Sequence, residues 1–146
     1  MNRFARNWLM LFGATGLLLG SGPSHAEQLY NPIEISDEPE VVDRLTADDI
    51  PTGDGGFARD YLVSFERGNQ VSIDVVSEDF DTVIVLIARD GTTIAQNDDG
   101  PDGTTNSLLF TRIDESGEYI VRVRAFGETG GGEFTLRVVR LVPVQD

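Results

Sequence analysis

The segment EYIVRVRAF, residues 118–126, decides how this chain folds. Its apolar side chains Tyr119, Val121 and Val123 alternate with the charged side chains Arg122 and Arg124. Because successive side chains of a β-strand point to opposite faces, a period of two residues predicts a strand with one face buried. The segment EFTLRVVRLV, residues 133–142, repeats the pattern and predicts a second strand of the same kind.

Upstream of these two strands, short apolar runs are separated by turn signals. Further strands are predicted at residues 61–65, 71–75, 82–88, 92–96 and 107–113. The first two flank Arg67-Gly68-Asn69, and we interpret them as a hairpin. The third is apolar almost throughout, as expected of a strand buried on both faces, and Asp90-Gly91 then predicts a tight turn. We therefore predict an all-β chain, an antiparallel β-sandwich of about 7–9 strands over residues 57–142. Five aromatic side chains are predicted to form its core, namely Tyr61, Phe65, Phe110, Tyr119 and Phe134.

The first 56 residues differ from this pattern. Residues 1–26 combine two arginines, an apolar run of about a dozen residues and the small-residue end Ser24-His25-Ala26, which is the layout of a secretory signal peptide. Residues 27–56 are predicted to be an acidic linker with one short edge strand at 41–45. We expect a secreted or periplasmic protein with no membrane span after signal cleavage.

Several residue types are missing, and their absence excludes classes of function. The chain has no cysteine and no lysine, and its one histidine, His25, lies in the predicted signal peptide. After cleavage, 9 arginines against 25 acidic residues would leave a net charge of −16. The exported chain would therefore lack the residues for a Ser-His-Asp site, a zinc site of His and Cys, or a phosphate loop with its lysine. Its acidity also disfavours nucleic acid as a partner, so we expect a protein that is not an enzyme and binds no nucleic acid.

A set of short motifs occurs in a fixed order along residues 41–142. They are Asp60-Tyr61-Leu62-Val63-Ser64-Phe65, Gly68, Ser77-Glu78-Asp79-Phe80-Asp81-Thr82, Asp90-Gly91, Asn97-Asp98-Asp99-Gly100, Ser116-Gly117-Glu118-Tyr119 and Gly132-Glu133-Phe134-Thr135-Leu136. Together they resemble the bacterial pre-peptidase C-terminal domain, a module found beside secreted peptidases and as separate proteins. The resemblance implies a jelly-roll-like β-sandwich, a secreted setting and an accessory role, here as a stand-alone module.

Calcium is the one cofactor that the acidic loops suggest. Asp98, Asp99 and Asp102 lie close together in a polar loop, and calcium prefers six to eight oxygen ligands. The loop is not an EF-hand, because the twelfth position counted from Asp98 is Leu109 instead of a glutamate. Ordinary turn chemistry is the alternative, since Asn, Asp and Gly dominate tight loops. The resemblance adds Asp60, which matches a calcium-coordinating position of the collagenase relatives, with Asp54 and the Glu34 to Glu40 run as further candidate ligands.

Two other charged sets have competing interpretations. Four arginines occupy outward positions on two strands that we predict to be neighbours, namely Arg122, Arg124, Arg137 and Arg140. There they would contact an anionic polymer or the protein's own carboxylates. The carboxylates of residues 77–82 would suit acid–base chemistry only inside a cleft. We favour a structural role for Asp81, which we expect to hold its turn through backbone amides.

These observations lead to two hypotheses of function. The first is a secreted, non-catalytic module that binds an extracellular protein or polymer through one face of the sandwich, or stabilises the cell surface or matrix. The second is an accessory or regulatory partner of a separate secreted peptidase. An enzyme ranks third, because the residue types are unfavourable.

Overall fold

The computed structural model describes residues 30–35, 40–128 and 130–141. The predicted signal peptide and most of the acidic run between Glu34 and Glu40 lie outside these ranges. Within them the chain forms ten strands, all in one compact unit that begins at Pro32. In chain order they are β1 (Ile33–Glu34), β2 (Glu40–Leu45), β3 (Ile50–Pro51), β4 (Phe57–Phe65), β5 (Gln70–Val76), β6 (Thr82–Ala88), β7 (Thr93–Asn97), β8 (Ser107–Arg112), β9 (Gly117–Ala125) and β10 (Gly132–Leu141). No helix that could cross a membrane occurs in this part of the chain.

The strands form two sheets that enclose one core, so the predicted β-sandwich is confirmed. One sheet has the order β1-β4-β9-β6-β7, with β3 also paired to β4, and the other has the order β2-β10-β5-β8. Among the described strands, β1 and β4 pair in parallel and the remaining pairs are antiparallel. The strand count exceeds the predicted one because β1 and β3 have only two residues each, too few to show a period in the sequence.

The core consists of alternate side chains from both sheets. The aromatic residues Tyr61, Phe65, Tyr119 and Phe134 are buried, as predicted. Phe110 was predicted to join them, and this prediction is wrong because its side chain is 63% exposed. In β8, Leu109 and the residues two positions before and after it point inward. Phe110 therefore points outward.

The predicted hairpin of residues 61–65 and 71–75 is also wrong. These segments are β4 and β5, which belong to different sheets. The turn between them closes with a hydrogen bond from the Asn69 amide to the Glu66 carbonyl, and Gly68 has a φ of 90°. The Gly68 amide also donates to the Ile113 carbonyl, so the turn carries the chain across the end of the sandwich. Period-two patterns identify strands, whereas the partner of each strand depends on the turn and on long-range packing.

The stretch 40–56, which the sequence predicts to be largely linker, contributes strands to both sheets. β2 covers the short strand expected at 41–45 and pairs along its whole length with β10. β3 pairs with the start of β4. The charged residues of β2 hide the pattern, because Asp43 takes an inward position opposite Phe134.

A polar network, here called the corner network, explains how Asp43 is accommodated inside. The Tyr61 hydroxyl on β4 donates to Asp43 at 2.8 Å, and Arg59 forms an ion pair with the other Asp43 oxygen at 2.5 Å. Arg59 also pairs with Asp49 at 2.9 Å. Burial raises the pKa of Tyr61, and the hydrogen bond to Asp43 adds to this, so the hydroxyl remains a donor. The network joins one edge of the four-stranded sheet to the other sheet.

Candidate functional site

The outer surface of the four-stranded sheet is the candidate functional site, and it is called the open face below. Its side chains come from alternate positions of β2, β10, β5 and β8, and the strand register arranges them in rows. One row is Val42, Thr135 and Val76; the next is Glu40, Arg137, Asp74 and Leu108; then follow Val139, Ser72 and Phe110, and finally Leu141, Gln70 and Arg112.

Large hydrophobic side chains are exposed on this face. Val42 and Phe110 are each 63% exposed, Leu141 is 42% exposed and Val76 is 41% exposed. Single exposed hydrophobic residues are ordinary, whereas several on one face indicate an interaction surface. This surface was not predicted from the sequence, where Phe110 was assigned to the core. In β8, the adjacent apolar residues Leu109 and Phe110 compete for the inward position, and this was the signal that the sequence offered for Phe110.

Two shallow depressions mark the ends of the open face. One, of about 280 Å³, is lined by Val76, Thr135 and the carboxylate-bearing residues Glu78, Asp79 and Glu133. The other, of about 230 Å³, is lined by residues that include Phe110, Leu141 and Arg112. Such small, open depressions suit contact with side chains of a macromolecule better than enclosure of a small substrate.

An ion-pair row crosses the open face between its apolar residues. Arg137 forms a pair with Glu40 at 2.5 Å and approaches Asp74 at 3.9 Å. Burial raises the pKa of Asp74, the Arg137 charge opposes the rise, and Asp102 adds to it. Charge is balanced over the open face as a whole, because its outward positions carry three arginines (Arg44, Arg112 and Arg137) and three carboxylates (Glu40, Asp74 and Glu133). The open face is thus nearly neutral on a strongly acidic protein.

Asp60 and Asp54, two of the predicted calcium ligands, are both paired with arginine. Arg122 donates to the two Asp60 oxygens at 2.7 and 2.8 Å, and the Asp60 carboxylate is almost completely buried. Arg124 pairs with Asp54 at 3.1 Å. The two-oxygen arginine contact neutralises Asp60 and occupies the geometry that a cation would need.

Asp98, Asp99 and Asp102, the other predicted ligands, lie in the loop between β7 and β8. Asp102 accepts hydrogen bonds from the Thr104 hydroxyl at 2.8 Å and from the Asn106 amide at 3.2 Å. Asn97 organises the start of the loop, since its side-chain amide donates to the Asp99 and Leu108 carbonyls. The Asn97 contacts are the side-chain-to-backbone bonds typical of turns, whereas the two Asp102 contacts join side chains within the loop.

The described carboxylates do not fit a calcium site. In residues 30–35, 40–128 and 130–141, no group of three or more acidic side chains converges as a metal would require. Among the described residues, Asp54 and Asp60 form no metal-like group with Asp98, Asp99 and Asp102. Asp54, Asp60 and Asp102 each have partners of their own. Calcium binding stays a prediction of the sequence.

The arginines predicted to form one outward stripe are divided between the two sheets. β9 carries Arg122 and Arg124, whereas β10 carries Arg137 and Arg140, and these strands are not neighbours. Arg140 donates to the Ser64 carbonyl at 2.8 Å and lies 5.3 Å from the centre of the Phe65 ring. Each of the four is therefore engaged within the protein, which supports the self-pairing interpretation.

The connection at residues 77–81 is held by Ser77 in the structure, and not through the Asp81 contacts that we expected. The Ser77 hydroxyl donates to the Glu133 carbonyl at 2.8 Å and accepts from the amides of Asp79 and Phe80. The Asp79 carboxylate accepts from the Glu133 amide at 2.8 Å. The connection is thereby fixed to the start of β10, beside the open face.

Comparison with known proteins agrees with this architecture. Residues 59–125 match the family model described as the bacterial pre-peptidase C-terminal domain. The structure is similar to the pre-peptidase C-terminal domain of a collagenase from Bacillus anthracis, with 16% identity, a TM-score of 0.56, and coverage of 75% of this chain and 95% of that one. It is also similar to PliG from Aeromonas hydrophila, a periplasmic inhibitor of g-type lysozyme, with 12% identity, a TM-score of 0.57, and coverage of 75% and 96%. No curated protein sequence matches this chain.

Proposed function

We infer that this protein, which carries a bacterial pre-peptidase C-terminal domain at residues 59–125, is a non-catalytic module that binds an extracellular or periplasmic protein through its open face. The observation that carries this proposal is the exposure of Val42, Val76, Phe110 and Leu141 on one sheet surface. Burying these side chains against a partner would remove apolar area from water, which is the main favourable term in protein association.

Three further observations support a binding role without catalysis. The chain has no lysine or cysteine, and its single histidine lies in the predicted signal peptide. Within the described ranges, every buried side-chain nitrogen or oxygen has a hydrogen-bond partner in the protein, so the interior needs no ligand to satisfy its polar groups. The depressions on the open face are shallow, and none encloses a reaction centre.

An exported location supports the same proposal. The predicted signal peptide directs the chain out of the cytoplasm, and the similar PliG protein is described as periplasmic. At 12% identity this similarity extends only to the fold, so we take from it that such a sandwich can serve as a protein-binding module. A secreted peptidase is the second candidate partner, since the family is named for its position beside peptidases.

Site-specific photo-crosslinking in the producing cells tests the proposal. A photoreactive phenylalanine analogue at Phe110 should give a discrete adduct of higher mass. The matched control places the analogue at Ile94, which is 43% exposed on the other sheet. Mass spectrometry of the adduct would distinguish a peptidase, another protein and a polymer. Equal labelling from Phe110 and Ile94, or labelling from neither, would contradict a role for the open face.

A further inference from the structure

Among the described residues, the connections at one end of the sandwich carry more negative charge than those at the other. The strand register places five connections at this end, namely residues 46–49, 52–56, 77–81, 98–106 and 127–128. They contain ten carboxylates and no arginine: Asp48, Asp49, Asp54, Glu78, Asp79, Asp81, Asp98, Asp99, Asp102 and Glu128. The described connections at the opposite end, 66–69, 89–92 and 113–116, contain four carboxylates and two arginines. The first set is called the acidic pole below.

Most of this charge is not neutralised within the protein. Asp49 pairs with Arg59, and Asp54 pairs with Arg124. For the other eight carboxylates of the acidic pole, no arginine of the described ranges lies within ion-pair distance. The Thr104 side chain lowers the pKa of Asp102, which keeps that carboxylate ionised at neutral pH. The acidic pole therefore has a strong negative potential that an approaching protein would meet.

The apolar surface of the open face meets the acidic pole at one row of side chains. Val42 and Val76 flank Thr135 there, and the larger depression continues from Val76 to Glu78 and Glu133. A hydrophobic side chain can rest on the valines while a positive group enters the depression. At the other end of the open face, Arg112 lies beside Phe110 and makes the surface less acidic.

The open face by itself is smaller than the surface that a stable protein interface usually covers. Four strands at a spacing of about 4.8 Å, each contributing about six residues at about 3.4 Å, cover about 400 Å². A stable interface needs about 800 Å² from each partner. A partner of that size would therefore extend beyond the sheet, and at the end nearest the exposed valines it would pass the Arg44–Glu133 row and meet the acidic pole. A second copy of this chain would bring its own net negative charge to that border and would be repelled.

We propose that the partner of the open face is a cationic protein, seated on Val42, Thr135 and Val76 with basic residues directed at the acidic pole. This inference rests on the proposed function and adds the partner's chemistry and its position on the sheet. Complementary charge at the rim raises the association rate and fixes the orientation, while the apolar row supplies contact area.

The test uses a defined probe with the purified exported protein. A fluorescent peptide of alternating arginine and leucine is titrated into the protein, and the backbone amide signals of ¹⁵N-labelled protein are followed by NMR. A peptide of alternating glutamate and leucine is the control for charge. We expect the basic peptide to shift the amide signals of Val42, Val76 and Thr135 and to bind less tightly as the salt concentration increases. The acidic peptide should shift none of these signals.

Two charge-matched variants locate the binding. Replacing Glu78 and Glu133 by glutamine should lower the affinity for the basic peptide about fivefold, because each exposed ion pair contributes modestly to binding. Replacing Asp114 by asparagine and Glu115 by glutamine removes the same charge at the opposite end and should change the affinity less than twofold. Equal weakening by both variants, or shifts confined to the Phe110 end, would overturn this inference while leaving the proposed function intact. If crosslinking from Phe110 also failed, the proposed function would fall with it.

Discussion

Removing the carboxylate of Asp43 should destabilise the protein strongly, although this residue lies on an edge strand that the sequence gives little reason to notice. Asp43 accepts a hydrogen bond from the fully buried Tyr61 and forms an ion pair with Arg59. In Asp43→Ala the Tyr61 hydroxyl loses its acceptor, and Arg59 keeps only Asp49 and a backbone carbonyl. Both losses occur where the two sheets meet.

The expected cost lies between that of a surface pair and that of a buried pair. Breaking an exposed pair costs about 0–1 kcal/mol, and breaking a buried one costs about 3–5 kcal/mol. The side chains of Arg59 and Asp43 are 28% and 23% exposed, which argues for the middle of this interval. Leaving a buried hydroxyl without an acceptor adds about 1 kcal/mol. We therefore expect the free energy of unfolding to fall by about 3 kcal/mol and the melting midpoint to fall by about 10 °C.

Urea unfolding, followed by far-UV circular dichroism, measures this loss in the free energy of unfolding. Asp48→Asn is the control. Asp48 is an exposed aspartate of the neighbouring turn, and it has no ion pair among the described residues. Adding Tyr61→Phe should recover part of the loss, because the stranded hydroxyl is then absent. A cost below about 0.5 kcal/mol, equal to that of the control, would refute the idea that the corner network joins the sheets.

Other substitutions test other parts of the structure. Gly132→Ala should lower the melting midpoint by several degrees, because Gly132 has a φ of 151° and an added Cβ would collide with Asp79. Gly117→Ala is the control, since its Cβ would meet open space and the midpoint should change little. A normal melting midpoint for Gly132→Ala would contradict this close approach. Asp74→Asn should raise the midpoint slightly at pH 7. Burial raises the folded-state pKa of Asp74 above 3.8, so its ionised form weakens the fold above that pKa, and the gain should vanish as the pH falls below 3.8. Excess calcium should leave the midpoint equal to that in chelator, because Asp60 is already paired with arginine. A rise of several degrees would instead support the calcium site that the sequence predicts.

The fold class and most of the strands could be predicted from the amino-acid sequence. The two-residue period in β9 and β10, the apolar run of β6 and the Asp90-Gly91 turn are local features. β6 is buried along most of its length, and the turn closes with a hydrogen bond from the Ala88 amide to the Thr92 carbonyl. Such features could be predicted because backbone geometry alternates side chains whatever the strand's partner is.

Strand pairing and the choice of the exposed faces depend on contacts between distant segments, and the sequence pattern does not contain them. Nothing local distinguishes a β4–β5 hairpin from a crossing between sheets, and the inward choice between Leu109 and Phe110 follows from the register with β5. Asp43 illustrates the same limit, since a charged residue can face inward only because Tyr61 and Arg59 come from a distant strand to meet it. The open face and the acidic pole are likewise each formed by segments that lie far apart in the chain. A sequence period records how one strand is divided into two faces, whereas the energy that selects between those faces comes from contacts with the rest of the molecule.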